Sequence, residues 1–450
     1  MDRGACGILQ TREFDRMLRA ARNSSDWTLK ALDELLDRET GIITSIQFYK
    51  VRSDDPQFVH CHATITDTAR LAGGVTIPGT GGTALTEDVA LVKAIGESVE
   101  RYCAEFYDPG SITVARYRDV HAEAIDPARF VLFHPSQYGP QFPFHPVSHD
   151  APMSWTRARS LTYDREALVP AAFVHLTHPG AEGEPMIDIG PVSGYACGDS
   201  YEEAVLSAIC EVVERDAFMI FWYNRLPAPG FDLRAVRSPL LRSVLHRYGA
   251  SPVGLYCADI TTDVGIPAAL AVMVAHAPRW PAAVVATAAH LDPEQAIAKA
   301  LFELAANHQY VRAFYEQPAY RRMPQTAGEV LAPEDHGLFY CSRERLPHLA
   351  RFTNPHRMVA PGSRRSLASG DARQDLKTCV RLLAAVGLEV IAADLTTGDV
   401  ADLGFKVVKV LIPGMQPIDF GPWRHLGGRR LYETPGRLGY RPPSGPSELN

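Results

Sequence analysis

Glu97-Ser98-Val99-Glu100-Arg101 and Glu211-Val212-Val213-Glu214-Arg215 spell one pattern, Glu-x-x-Glu-Arg, inside two long segments of helical apolar periodicity. Residues three apart on a helix share a face, so each segment presents two carboxylates with a guanidinium beside them. The recurrence reads as a repeated supersecondary unit turned toward one cleft. Four carboxylates gathered there repel one another unless a cation sits among them, and hard ions such as Mg²⁺ take oxygen ligands. Adjacent arginines suit the phosphates that such ions accompany. A metal–nucleotide site is the first expectation. For either motif alone, the plainer alternative is a solvated helix face laced with ion pairs.

Around these motifs the chain reads as an ordered globular protein of 450 residues, 46% hydrophobic and 22% charged, with a net charge of -7. That length buries a large core in one big domain or a few closely joined ones. The mildly acidic balance argues against nucleic acid and anionic membranes as partners. No signal segment and no apolar run near the ~20 residues of a membrane span is present, so the expectation is a cytoplasmic protein. Eight scattered cysteines lack a Cys-x-x-Cys pair and read as small hydrophobes.

Helical periodicity over 11–40 gives way to strand patterns at Ile42–Tyr49 and Phe58–Thr66. Gly73, Gly74, Gly79, Gly81 and Gly82 then suggest a glycine-rich loop before the first motif helix, about 86–107, where backbone N–H groups suit an anion. The stretch 134–160 reads as irregular, and its His134, His145 and His149 make a weak metal set. Ala171–Leu176 and Met186–Ile189 are strand candidates. A helix from Tyr201 carries the second motif. Val264–Ala275 and Ala282–Ala289 read as strands, and Asp292-Pro293 opens a third helix with its own cap. Helix, strand, turn and strand patterns follow at Asp371–Ala385, Glu389–Asp394, Val400–Leu403 and Phe405–Leu411. Residues 324–370 and those after Tyr432 look largely irregular. The alternation of strand and helix favours an α/β class.

The third helix places Lys299 and Glu303 on one face, so the carboxylates of Glu97, Glu100, Glu211, Glu214 and Glu303 join the cations of Arg101, Arg215 and Lys299. Glu203, two turns before Glu211, extends the second helix's face. Phosphoryl chemistry needs chiefly position and neutralised oxygens, and this residue set supplies both. His308 reads as an exposed or capping residue of the third helix.

Ser193-Gly194-Tyr195-Ala196-Cys197-Gly198, with Glu203 and Ala208–Phe218, closely resembles the second ATP-site motif of the YcaO family. Ala94–Tyr102 resembles its first motif, and Lys299 and Glu303 fall where that family has Arg-x-x-x-Glu. Asp394-Leu395-Thr396-Thr397, Val407-Val408, Ile412–Pro417 and Leu426-Gly427-Gly428 are similar to its C-terminal core, and Asp37–Ile43 to the opening of its stand-alone cyclodehydratases. The resemblance implies a YcaO-type fold of repeated strand–helix units around an ATP cleft. It divides the chain into an N-terminal region 1–72, an ATP-binding catalytic domain 73–432 and a Pro/Gly-rich tail 433–450.

It also implies an ATP- and Mg²⁺-dependent enzyme that turns Cys, Ser or Thr residues of a ribosomally made precursor peptide into thiazoline or oxazoline. The five glutamates would then hold magnesium, Arg101, Arg215 and Lys299 the phosphates, and Glu203 the nucleotide. Expected partners are the precursor peptide, a separate E1-like leader-binding protein and a flavin-dependent azoline dehydrogenase, with a homodimer as a further expectation. Thioamidation, macroamidine formation and a non-catalytic scaffold are the rival readings. Three departures stand out. The family pattern has Ser where Lys93 stands and Gly-Lys-Gly near Gly82-Thr83-Ala84. It often ends in Pro-x-Pro-x-Pro, absent from Arg441–Asn450. Lys93 is placed to salt-bridge Glu97.

Overall fold

The computed structural model describes residues 27–68, 79–190, 192–277, 280–316, 324–419, 421 and 423–449. The helical periodicity over 11–26 and the glycines Gly73 and Gly74 lie outside these. Three sheets organise the chain. The first is the antiparallel β1 (Ile43–Tyr49), β2 (Val59–Ile65) and β3 (Gly79–Ala84), preceded by α1 (Trp27–Leu35) and covered by α2 (Glu87–Glu105). The expected glycine loop is therefore, from Gly79 onward, a strand. Its glycines let the helix come close: a Cβ on Gly82 would lie 1.9 Å from the Ala90 carbonyl oxygen of α2.

The second sheet gathers β4 (Thr113–Arg116), β5 (Pro152–Ser160), β6 (Arg165–Pro170), β7 (Tyr195–Gly198), β13 (Ile391–Asp394) and β14 (Lys406–Leu411). They run in the order β4-β5-β13-β14-β7, with β6 beside β5, and α3 (Tyr201–Tyr223) packs on β14 and β7. The third sheet comprises β8 (Gly230–Phe231), β9 (Val253–Asp259), β10 (Ala268–Ala275), β11 (Ala283–Ala289) and β12 (Met358–Val359). Its order is β11-β10-β9-β8-β12, and α5 (Pro293–Tyr315) packs on β10 and β11, with α4 (Pro239–Tyr248) against α5. Strand and helix alternate as the sequence suggests, yet every ladder is antiparallel except the short β8–β12 pair.

Caps explain where the site helices begin. The Ser200 hydroxyl accepts the Glu203 N–H at 3.3 Å, and Asp292 accepts the Gln295 N–H at 3.0 Å with Pro293 in the first turn. A third long helix, α6 (Ala372–Ala385), packs along α3.

Several expectations need correction. From Pro152 the supposedly irregular stretch is the nine-residue β5, whose Trp155 is fully buried and donates its indole N–H to Ala115 at 3.0 Å. Ala171–Phe173 is a 3₁₀ turn, because Pro170, the last residue paired with β5, cannot donate onward. Residues 186–189 form no strand, although the Met186 carbonyl accepts the His145 N–H at 2.9 Å. His308 is buried, not exposed, with Nε2 3.1 Å from Asp55. Just beyond Tyr432 the chain is still helical: α7 (Arg429–Arg437) crosses 432/433 and contains Pro435 and Gly436, and the irregular stretch begins only after it. Its Arg430 is buried and bonded to Asp216 and Asp263, so tertiary anchoring overrides two helix breakers.

Another buried group ties the 417–425 segment to the molecule. His425 Nε2 lies 3.2 Å from Asp188, and its Nδ1 lies 3.4 Å from Asp419. Burial opposes charging the ring, but hydrogen bonds and charge from both aspartates outweigh it and push His425 up to about 9. The folded state therefore holds this proton more tightly than the unfolded chain. Its stabilising contribution is whole below about pH 6.5 and fades as pH rises toward 9. Wild type and His425→Gln should differ more in unfolding free energy at pH 6 than at pH 9.5. A gap that stays constant across that range would reject a charged His425. No helix among the described residues is long and apolar enough to cross a membrane.

Candidate active site

Three helices, each on a different sheet, turn their charged faces to one cleft of about 2160 Å³. Glu97, Glu100 and Arg101 come from α2; Glu203, Glu211, Glu214 and Arg215 from α3; Lys299 and Glu303 from α5. All nine residues singled out in the sequence line this cleft. The cleft also takes in strand β11 and residues of β3 and β7.

The two motifs are held alike. The Gly81 N–H donates to Glu97 Oε2 at 2.7 Å, and the Gly194 N–H donates to Glu211 Oε2 at 3.1 Å. In each, the arginine lies 3.7 Å from the first glutamate four residues before it. Gly194 sits at φ +93, and a Cβ there would lie 2.3 Å from the Val410 carbonyl, so close backbone approach explains the glycine. The Thr287 hydroxyl from β11 donates to Glu214 Oε1 at 2.6 Å.

Electrostatics show which groups face each other. Burial pushes Glu100 up to about 8, with Glu211 and Glu97 adding to the shift and Arg101 opposing it. Burial likewise raises Glu214 to about 7, helped by Glu211 and Glu303 and opposed by Arg215 and Thr287. Glu97 is raised by burial and by Glu303, against the Gly81 hydrogen bond and Arg101. The carboxylates of three helices thus feel one another, and a cation among them relieves a real penalty. Burial pulls down on Arg101 and Arg215, yet the glutamates hold both above the ordinary arginine value. Glu203 is raised first by a hydrogen bond with Asp199, so these two carboxyl groups form a pair at the cleft rim.

The donor set fits a metal–polyphosphate group. The buried Arg215 Nε has no hydrogen-bond partner among the described residues, which suits an anion. Among the described residues no three His, Cys, Asp or Glu side chains are grouped tightly enough to hold an ion alone. Mg²⁺ commonly takes one or two carboxylates together with waters and phosphate oxygens, and the spacing here matches that mode.

Sequence reasoning missed part of this arrangement. Thr287 lies on a strand far along the chain and carries no local signal. Lys409, fully buried beneath the motifs, donates to the Ser193 carbonyl at 2.7 Å and lies 3.7 Å from the Tyr195 ring centre. Burial lowers it to about 7 against the pull of Glu211 and Glu100. Its position in an apolar strand is the one signal for it. Lys93 does not salt-bridge Glu97 as expected. Its ammonium donates to the Thr83 carbonyl at 2.9 Å, while Glu97 is taken by Gly81. Two of the three histidines of the 134–149 stretch serve locally: His134 caps a 3₁₀ turn, and His149 bonds Asp126 at 2.9 Å.

A family model described as YcaO cyclodehydratase, ATP- and Mg²⁺-binding, matches residues 81–416. The chain belongs to the YcaO family. This YcaO protein is 29% identical over 357 residues to an uncharacterized protein of Methanothermobacter thermautotrophicus, covering 78% of this chain and 84% of that one. It is 24% identical over 366 residues to an uncharacterized protein in the tfuA 3' region of Rhizobium leguminosarum bv. trifolii, covering 78% and 80%. Among solved structures, a heterocyclase in complex with substrate and cofactor superposes with a TM-score of 0.79 at 24% identity, over 94% of this chain and 56% of that one. This YcaO chain thus spans little more than half of that heterocyclase. YcaO from Methanopyrus kandleri bound with AMPPCP and Mg²⁺ gives 0.59 at 22% identity, covering 91% and 92%. The fold is that of YcaO proteins, and the enzyme is ATP- and Mg²⁺-dependent.

Proposed function

We propose that this YcaO enzyme carries out ATP-dependent cyclodehydration of Cys, Ser or Thr residues in a ribosomally made peptide. The observation that carries the reading is one cleft holding six carboxylates and four cations from three helices. At about 2160 Å³ it exceeds the ~300–1,000 Å³ of ordinary small-molecule pockets, which leaves room for a peptide beside a nucleotide.

In this reading the peptide's thiol or hydroxyl loses its proton to solvent and adds to the preceding carbonyl carbon, and the carbonyl oxygen becomes an alkoxide. That oxygen takes the terminal phosphoryl group of ATP, releasing ADP. The amide nitrogen then loses its proton, the C–O bond breaks, and phosphate departs as the ring C=N forms. An amide oxygen is a poor leaving group, whereas phosphate is a competent one. Arg101, Arg215 and Lys299 hold phosphate oxygens in place, and Glu203 with Asp199 stands at the nucleotide end. Glu97, Glu100, Glu211, Glu214 and Glu303 hold magnesium, which when bound neutralises phosphate charge. The Gly81 and Gly194 N–H groups fix one oxygen of each leading glutamate, so the remaining oxygens are oriented before ligand arrives.

Within this proposal the catalytic unit extends over 73–432, and a separate leader-binding protein delivers the precursor. A flavin-dependent dehydrogenase would then oxidise azolines to azoles. Two similar structures, a heterocyclase in complex with substrate and cofactor and an E. coli microcin synthetase McbBCD complex with pro-MccB17 bound, support a peptide substrate handled in an assembly. The test is mass spectrometry of a precursor treated with the chain, its partner protein and Mg–ATP. Loss of one water per modified Cys, Ser or Thr, located by fragmentation to a five-membered ring, is the expected result. Replacement of oxygen by sulfur would overturn the proposal.

A further inference from the structure

Two turns of helix face each other across the cleft with the same spelling. Lys93-Ala94-Ile95-Gly96-Glu97 lies on α2, and Lys299-Ala300-Leu301-Phe302-Glu303 lies on α5. In both, a lysine stands one turn before a glutamate of the carboxylate cluster, and all four side chains line the cleft. Lys93 is within electrostatic reach of both Glu303 and Lys299, so the two turns meet.

Lys93 is an exposed residue whose tip is nonetheless held. Its ammonium donates to the neutral Thr83 carbonyl at 2.9 Å and lies 4.4 Å from the Phe302 ring centre. The carboxylate four residues on, its natural helical partner, is bonded to the Gly81 N–H instead. One carbonyl uses one of three ammonium hydrogens, and a ring face holds the charge without neutralising it. The side chain is thereby fixed, while its charge remains directed to the cleft.

We propose that Lys93 is a phosphate-binding residue of the nucleotide site, paired across the cleft with Lys299. The two ammonium groups bracket the polyphosphate at one end of the carboxylate cluster, while Arg101 stands about two turns further along α2 and Arg215 comes from α3. Lys93 thus supplies from a helix the cation that β3 does not carry. The inference rests on the nucleotide reading of the cleft, and its test separates the two.

The experiment is calorimetric binding of Mg–ATP and, separately, adenosine to the full chain, as wild type, Lys93→Met and Lys93→Arg. Lys93→Met should weaken Mg–ATP about tenfold to a hundredfold, the range for losing one charge-assisted hydrogen bond. Adenosine binding should change little, and Lys93→Arg should recover most of the loss. Equal Mg–ATP affinity in wild type and Lys93→Met would overturn the role of Lys93. A parallel loss of ATP and adenosine would overturn it too, since it marks a merely structural contact with β3. Absence of Mg–ATP binding by the wild type would instead sink the nucleotide reading itself. Thermal unfolding of each variant checks that the compared proteins are folded.

Discussion

Glu211→Gln combined with Glu214→Gln should abolish Mg–ATP turnover, lowering it by about a thousandfold or more, while the protein stays folded. Both side chains line the cleft, and glutamine keeps an oxygen to accept from the Gly194 N–H and the Thr287 hydroxyl. Glu214 is already pushed up to about 7 by burial and by its acidic neighbours, so the neutral amide relieves repulsion. Turnover and stability therefore part company: activity collapses while the melting temperature holds or rises. Precursor modification at the wild-type rate by the double variant would reject these residues as the magnesium and phosphoryl site. A simultaneous loss of fold and activity would assign them a structural role instead.

Arg430→Met should be the most destabilising single change outside the hydrophobic core, at about 3–5 kcal/mol. Arg430 forms three hydrogen bonds to Asp216 at 2.8–3.1 Å and another to Asp263 at 2.8 Å, and Asp216 is fully buried. Removing the guanidinium leaves that carboxylate sealed from water with only the Gln416 N–H, at 2.9 Å, among its former partners. Arg430→Lys should cost less, because charge survives although the planar fork is lost. The double variant Asp216→Asn with Arg430→Met should recover part of the loss, since it no longer strands a buried charge. Denaturant unfolding reads all three. A cost below about 1 kcal/mol for Arg430→Met would show that the pair does not anchor α7.

Much of the site could be read from the chain because helical spacing and charge are local signals. Glu97 with Glu100, Glu211 with Glu214 and Lys299 with Glu303 each share a helix face whatever the tertiary fold. What could not be read depends on contacts between distant segments. The Gly81 and Gly194 N–H hooks are backbone groups, silent in a sequence, and Thr287 reaches Glu214 only after β11 has docked on α3. β3 was hidden because its six residues include three glycines, which carry no β-forming side chain to signal a strand. α7 was hidden because Pro435 and Gly436 speak against a helix locally, whereas Arg430 and Asp216, far apart in sequence, decide for it. His308 reads as a surface residue until Asp55, far back along the chain, is brought against it.

The helices that carry the carboxylates rest on three separate sheets, and this shapes how the molecule holds together as well as how it reacts. Behind the cleft the slabs share apolar cores, while along it their helices bring carboxylates together, so repulsion is concentrated at that face. On the proposed reading, a magnesium polyphosphate touching all three faces would act as a keystone, turning mutual repulsion into shared attraction. Mass action then rewards the closed arrangement in proportion to ligand concentration. Substrate binding and the tightening of the scaffold are, in this architecture, the same event.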